Sequence, residues 1–167
     1  MAALTQDLNI STLGEPVYAK LSANAADTYY QGAVVWVDVA GGVQVTAASA
    51  GAVATTDRPI GICTKKQVVT AAGQEVEVLV KGFVWFPLAT NVTVVDEGGI
   101  LCFDADVLID TDNPQDAWGA ASVAGAVAIC DAAIGIIKRV TATQMLVHIG
   151  SYTGRICAGA GAAAVWR

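Results

Sequence analysis

The clearest alternation of apolar and polar residues along the chain lies in EVEVLVK, residues 75–81. Every second residue is a valine, the intervening positions are mostly charged, and only Leu79 breaks the alternation. Such period-two patterning with β-branched residues predicts a half-buried antiparallel strand. The surrounding stretch 59–88 predicts a hairpin, a strand end at Gly82 and an aromatic plug over FVWF at 83–86. We expect this stretch to form the centre of a small β-barrel or β-sandwich.

Short apolar runs separated by turn residues recur along the rest of the chain. They predict strands over residues 17–21, 34–39, 43–45, 92–95, 100–103, 107–109, 123–130, 134–140 and 145–149. Gly41-Gly42 predicts a tight hairpin turn, and residues 24–30 predict a loop. No segment has a convincing helical period, and 121–128 is the best candidate for a short helix. A spacing of about ten residues between strands is typical of all-β sandwiches and barrels.

The pattern divides the chain into three parts. Residues 1–16 have no firm periodicity and are predicted to form an N-terminal arm that orders on a partner. Residues 17–150 form the predicted β domain. Residues 151–167 are rich in alanine and glycine and end in Val-Trp-Arg. This last segment is either an arm that docks on a neighbouring molecule through its terminal tryptophan, or a last strand packed on its own domain.

An internal repeat runs through the predicted β domain. Ile-Gly-Ile occurs at 60–62 and again at 134–136, each followed by a basic pair, Lys65-Lys66 or Lys138-Arg139, and then by a further strand. The order predicts two related β units, with each central glycine allowing a close strand crossing or a bulge. Chance similarity in a chain rich in Val, Ile and Gly is the alternative. The basic pairs are either solvated strand ends or contacts to an acidic surface of a partner protein.

Composition favours an assembled protein. The chain is 54% hydrophobic and only 14% charged, against about 25% charged residues in typical domains. A monomer with so little charge has few polar groups to cover its surface, so we expect other subunits to bury part of it. The net charge of −6 argues against a nucleic-acid partner.

The sequence predicts neither a signal peptide nor a membrane span. The N-terminus has no basic region followed by a long apolar core. Residues 119–137 are apolar and long enough to cross a membrane. They consist mostly of alanine and glycine and are interrupted by Asp131, which favours two short strands.

Catalytic motifs are absent from the sequence. The single histidine, His148, excludes mechanisms that need two and is predicted to lie at a half-exposed strand position. There is no Gly-x-Ser-x-Gly, no phosphate-binding loop and no GxGxxG after a strand. We therefore predict no enzymatic activity and no cofactor.

The sequence contains two groups of possible metal ligands. The four cysteines, Cys63, Cys102, Cys130 and Cys157, lack zinc spacing and are predicted to be reduced core residues, with disulfides only if the chain matures outside the cytosol. Five aspartates, Asp104, Asp106, Asp110, Asp112 and Asp116, form either a solvated loop or a calcium site. The EF-hand pattern is missing from this stretch, and we predict no metal.

The order of motifs resembles that of small tailed-phage capsid decoration, or cement, proteins. The matching segments are GAVV at 32–35, IGIC at 60–63, GQEVEV at 73–78, GFVWFP at 82–87, ILCFD at 100–104, IGI at 134–136 and LVHI at 146–149. The resemblance covers residues 32–150 and is specific in order rather than in any single motif. The chain departs from the family in its longer N-terminal segment, its 110–117 loop and its Ala/Gly tail.

The resemblance implies a "β-tulip"-like subunit, made in the host cytoplasm, on the outer surface of the virion head. There it would bind the major capsid protein, as a homotrimer or a dimer, and hold the lattice together against packaged DNA. Some relatives carry a recombinase label, which the acidic charge and missing phosphate loop argue against here. The expectation is a structural protein without catalysis. A tail or baseplate β module and, less favoured, a small-ligand-binding barrel are the alternatives.

The expected contact residues lie in the arms and in predicted loops. They are Leu4, Leu8 and Ile10 near the N-terminus, Tyr29, Tyr30 and Trp118 in loops, and Val165, Trp166 and Arg167 at the C-terminus.

Overall fold

All regular secondary structure in the described part of the chain is β-structure, which confirms the all-β class. The computed structural model describes residues 6–37, 41–45, 58–88, 94, 97–98, 100–103 and 130–157. The strands are β1 (Ser11–Ser22), β2 (Asp27–Tyr29), β3 (Val34–Val37), β4 (Val43–Gln44), β5 (Arg58–Ile62), β6 (Gln67–Val69), β7 (Glu75–Pro87), β8 (Ile100–Phe103), β9 (Cys130–Val140) and β10 (Gln144–Cys157). Within these residues, no helix is both long and apolar enough to cross a membrane.

Eight strands form one antiparallel sheet. Its pairing path is β4-β3-β5-β7-β10-β9-β8, and β1 pairs with β7 beside this path. Strands β2 and β6 pair separately. Across the described strands the sheet does not close, because β4 and β8 form the two ends of the path. The prediction of an all-β domain is therefore confirmed, while a closed barrel is not observed.

The predicted internal repeat is visible in the strand pairing. Going outward from the β7–β10 pair, β5 and β3 follow on one side and β9 and β8 on the other. Val35 pairs with Gly61 and Leu101 pairs with Gly135, and the register shifts immediately after each of these pairs. A Cβ atom on Gly61 would overlap the carbonyl oxygen of Leu79, and one on Gly135 would overlap that of His148. The prediction that these glycines allow close strand contact is confirmed.

Strand β7 is longer than its sequence pattern predicts. It continues through Gly82, where φ is 146°, so the predicted strand end at that residue is wrong. The reason is the pairing: Gly82 lies opposite Ile149 of β10, and a Cβ on Gly82 would lie 3.1 Å from the Cα of Pro16 in β1, closer than an ordinary contact. The pairing shifts by one residue between Leu79 and Lys81, which leaves Val80 as an extra residue in β7.

Two hydrophobic cores lie on opposite sides of the strands. The first contains Ile10, Val34, Trp36, Ile62, Leu79, Val84, Phe86, Ile137, Met145, Val147 and Ile149. The second contains Ala23, Tyr29, Ala33, Val35, Val43, Val45, Cys63, Val69, Val76 and Val78. Alternate residues of β3 enter different cores, as strand geometry requires.

The sheet has two halves that differ in burial. We define the first half as β3, β5 and residues 75–80 of β7, and the second half as residues 83–87 of β7 with β9 and β10. The first half is buried by both cores. Those residues of the second half whose burial the structure describes contribute to the first core and not to the second.

Several predicted boundaries change. Strand β1 begins at Ser11 rather than at residue 17, and β10 extends through residues 151–157, which were assigned to the C-terminal arm. Strands β3 and β4 pair as predicted, but Val37 lies opposite Val43, a register that a two-residue turn at Gly41-Gly42 would not give. The predictions for 107–109, for 121–128 and for the tail beyond residue 157 fall outside the described residues, as does most of 92–95.

Candidate functional site

The structure places two of the predicted contact residues in the interior. Ile10 is only 6% exposed and belongs to the first core. Tyr29 was predicted in a loop, but it ends β2, is fully buried, and its hydroxyl donates a hydrogen bond of 2.7 Å to the carbonyl of Val43. These side chains stabilise the fold, and neither is available as a surface contact in this conformation.

The remaining predicted contacts are divided between the surface and the segments outside the described residues. Leu8 is half-buried against the first core, and its backbone N–H donates to the carbonyl of Gln31 at 2.9 Å. Tyr30 is half-buried, and Nζ of Lys66 lies 5.0 Å from its ring centroid. Leu4, Trp118, Val165, Trp166 and Arg167 lie outside the described residues.

Strand β1 carries an apolar surface that the sequence did not predict. Leu13, Val17 and Tyr18 are 49%, 50% and 40% exposed, and we call these three residues the β1 surface. Val17 and Tyr18 are adjacent, so they lie on opposite sides of the strand, and Tyr18 is the one that lines the groove described below. Among the described strands, β1 pairs only with β7. The alternation that would have signalled a strand is interrupted at residues 14–16, where the register against β7 shifts.

An open groove of about 550 Å³ lies beside β1. It is lined by Ile10, Ser11, Thr12, Tyr18, Thr64, Lys65 and Glu77. Nζ of Lys65 lies 2.7 Å from the Glu77 carboxylate, and this hydrogen bond and charge raise the pKa of the lysine. The backbone of Glu77 is fixed by the side-chain amide of Gln67, which accepts from its N–H and donates to its carbonyl. The groove therefore presents an ion pair whose charges already neutralise each other.

Cys63 is a buried thiol in the second core. Burial raises its pKa to about 12, although a weak hydrogen bond from the Gln67 amide to Sγ, at 3.7 Å, acts in the opposite direction. The thiol is therefore protonated at neutral pH and a poor nucleophile. The prediction of a core cysteine is confirmed for Cys63. The backbone register also places Cys130 of β9 opposite Cys157 of β10.

His148 lies on β10, on the side away from the first core. Its ring stacks on Phe83, with centroids 4.4 Å apart and an interplanar angle of 17°. Partial burial and the positive charges of Lys138 and Lys81 lower its pKa. The half-exposed strand position predicted for it is confirmed. Within the described residues no group of His, Cys, Asp and Glu could hold a metal ion, and the aspartates of 104–116 lie outside that part of the chain.

His148 belongs to a larger half-exposed surface on the second half of the sheet. Phe83 and Trp85 of β7 and Leu146 and His148 of β10 alternate with residues of the first core, so they lie on its opposite side. Cross-strand pairing joins Phe83 to His148 and Trp85 to Leu146. We call these four residues the outer patch.

Three exposed cations border the outer patch. Arg139 pairs with Leu146, and Lys138 is the extra residue where the β9–β10 register shifts. Lys81 lies on β7, two residues before Phe83. Among the described residues, none of these three cations has a carboxylate within ion-pairing distance.

Comparison of the chain with family models, with characterised proteins and with solved structures finds no match.

Proposed function

We propose that the chain is a structural virion protein that binds the outside of a tailed-phage head and stabilises the capsid lattice without catalysis. The observation that carries the proposal is the β1 surface, three half-exposed apolar side chains on a strand with one described pairing partner. An assembly protein gains free energy by burying such a surface against its partner. The order of motifs, which resembles that of capsid decoration proteins, supplies the partner and the place.

The shape of β1 favours docking through side chains. Pro16 and the register shift interrupt the strand, and the exposed Lys20 adds a charge. Proline, lysine and bulges on an edge strand oppose uncontrolled pairing with another strand. The half-exposed side chains of β1 can still pack against a complementary surface, which gives a defined contact instead of open-ended strand addition.

The first test is the composition of purified particles. We expect the chain to band with intact heads, at a ratio to the major capsid protein near one if trimers fill every local three-fold position. A lower ratio in heads would indicate two-fold or vertex sites. Cofractionation with tails would favour a tail or baseplate module and overturn the head-binding proposal. Absence from particles would overturn any virion role and would favour a small-ligand-binding function, for which the groove beside β1 is the candidate site.

A second test compares two exposed valines. Val17 on β1 is 50% exposed and Val68 on β6 is 64% exposed. We expect Val17→Ser to weaken binding to heads that lack the protein, and Val68→Ser to bind as the wild type does. Equal binding by both variants, with unchanged melting temperatures, would show that the β1 surface is not the contact.

A further inference from the structure

The two halves of the internal repeat differ in what covers the side of the sheet that faces away from the first core. In the first half, the side away from the first core is covered by the second core, to which β2 contributes Tyr29 and β6 contributes Val69. In the second half, the corresponding side carries the outer patch, whose four side chains are half-exposed. An exposed apolar and aromatic cluster with a charged rim is the usual anatomy of a protein-binding surface.

The two basic pairs differ in the same way. In the first half, Lys65 is paired with Glu77 at 2.7 Å and Lys66 lies over the ring of Tyr30. In the second half, Lys138 and Arg139 have no carboxylate partner among the described residues. The pairs occupy equivalent places in the order of the repeat, but among the described residues only the first pair includes a cation bound to a carboxylate.

The three cations that border the outer patch contrast with the negative net charge of the whole chain. The chain has a net charge of −6, yet Lys81, Lys138 and Arg139 border an apolar cluster and, among the described residues, have no carboxylate in ion-pairing range. Lys81 and Lys138 are also close enough to His148 to lower its pKa. Like charges held together on a protein of the opposite sign favour a ligand that neutralises them.

We propose that the outer patch and its three cations form a docking site for an acidic protein surface, one that presents carboxylates around apolar side chains. This inference rests on the proposed function and deepens it, because it assigns that acidic surface to the outside of the capsid lattice. The apolar patch contributes buried area, and the cations set the orientation of the complex. Leu13, which pairs with Phe83, joins the outer patch to the β1 surface.

A nucleic acid is the less favoured ligand for this site. Single strands are bound by aromatic rings on which bases stack, whereas the rings of Phe83 and His148 stack on each other. The net negative charge also repels a polyanion at long range. Binding to DNA is therefore one of the outcomes that the experiment must separate.

The experiment uses the repeat as its own control. The full chain and two double variants, Lys138→Glu/Arg139→Glu and Lys65→Glu/Lys66→Glu, are titrated onto purified heads that lack the protein. Both variants change the net charge equally, and each must first show the wild-type circular dichroism spectrum and a cooperative melt. We expect the 138/139 variant to bind at least about tenfold more weakly and the 65/66 variant to bind within about threefold of wild type. The 138/139 variant should also lose most of the salt dependence of binding.

The outcomes distinguish this inference from the function on which it rests. Wild-type binding with no selective loss in the 138/139 variant would overturn the docking site and leave the head-binding function standing. Failure of the wild type to bind heads would overturn both. If the 138/139 variant lost affinity for double-stranded DNA while binding heads normally, the site would be a nucleic-acid site and the inference would be wrong.

Discussion

The two halves of the sheet follow one pattern of strands and glycines, yet the first is covered by both cores and the second carries the half-exposed outer patch. Both halves place a glycine from Ile-Gly-Ile against the next strand, and both shift register at that point. The first half is buried on both sides, and its strands can only hold the fold together. In the described part of the second half, burial comes from the first core alone, and the four side chains of the outer patch stay half-exposed. A duplicated β unit can thus keep its backbone and change its role through what covers its second side.

The two cores differ in chemistry as well as in position. The first is built from large side chains such as Trp36, Phe86 and Met145 and has no titratable group among its buried members. The second consists mainly of alanine and valine with Tyr29 and Cys63. We therefore expect the first core to dominate stability and the second to govern the response to alkaline pH.

The largest expected change in stability comes from truncating one of two adjacent aromatic residues of β7. Phe86 is fully buried in the first core, whereas Trp85 is half-exposed in the outer patch. We expect Phe86→Ala to lower the free energy of unfolding by about 3–5 kcal/mol, because it removes a buried ring and leaves a cavity. Trp85→Ala should cost about 1.5 kcal/mol, since only part of that side chain leaves an apolar environment. Urea denaturation measures both values.

If Phe86→Ala does not fold, Phe86→Leu provides the measurement with a smaller cavity. Equal losses at residues 85 and 86 would contradict the one-sided burial of the second half.

The next largest loss of stability is expected from substituting the glycines of the two Ile-Gly-Ile motifs. A methyl group at Gly61 would overlap the Leu79 carbonyl oxygen, and one at Gly135 would overlap the His148 carbonyl oxygen. We expect both alanine variants to lose about 1–3 kcal/mol, because the strands must separate to admit the new atom. The loss should be larger for Gly61→Ala, since strands buried on both sides have less freedom to move. Gly73→Ala, at an open turn with φ of 84°, reports the cost of backbone strain alone.

Much of the sheet could be predicted because its signals are local. The alternation at 75–81 and the Ile-Gly-Ile motifs lie within single strands, and the structure places both as strands in the sheet. The predictions for Gly82 and Tyr29 were wrong because residues distant in sequence determine the structure at these two positions. Gly82 stays in β7 because it pairs with Ile149 of β10, and Tyr29 packs in the second core, where its hydroxyl donates to the carbonyl of Val43, fourteen positions along the chain. Neither partner is visible in a local pattern.

The candidate site was predicted only in part for the same reason. The sequence identified Lys138-Arg139 as one of two basic pairs with an open role. It could not show that Glu77 neutralises Lys65, because that contact depends on how β7 packs beside the β5–β6 connection. The sequence predicts an aromatic plug over residues 83–86 and no patch shared with Leu146 and His148. Alternation instead divides residues 83–86 between the first core and the surface.

The third prediction concerns the loss of folding stability at high pH, which the buried Cys63 thiol of the second core should cause. The pKa of Cys63 is 9.0 in an ordinary environment and about 12 when buried here. Between these values the folded chain keeps a proton that the unfolded chain releases. The buried Cys63 thiol therefore contributes to the free energy of unfolding. This contribution is fully present below pH 9 and is lost as the pH rises towards 12, at about 1.4 kcal/mol per pH unit. Tyr29, with a pKa raised from 10.0 to about 12, acts in the same direction.

Urea denaturation at pH 8 to 11 should therefore show a smaller decline for Cys63→Ala than for the wild type. Met145→Leu, a change in the first core, should leave the slope unchanged. Parallel slopes for all three proteins would show that the thiol is not buried in solution.

The smallest effect concerns the charge around the outer patch and leaves stability nearly unchanged. Partial burial and the nearby positive charges of Lys138 and Lys81 hold the pKa of His148 below its usual value. We expect an NMR titration of its ring protons to show this lowered pKa, and Lys138→Gln to raise it by removing one of the charges. Lys66→Gln, in the equivalent basic pair of the first half, should leave the titration unchanged. If both variants shifted the pKa equally, the cause would be the overall charge of the protein, and the cations of the second half would not form a local cluster. A shift confined to Lys138→Gln would establish in solution the concentrated positive charge on which recognition of an acidic surface depends.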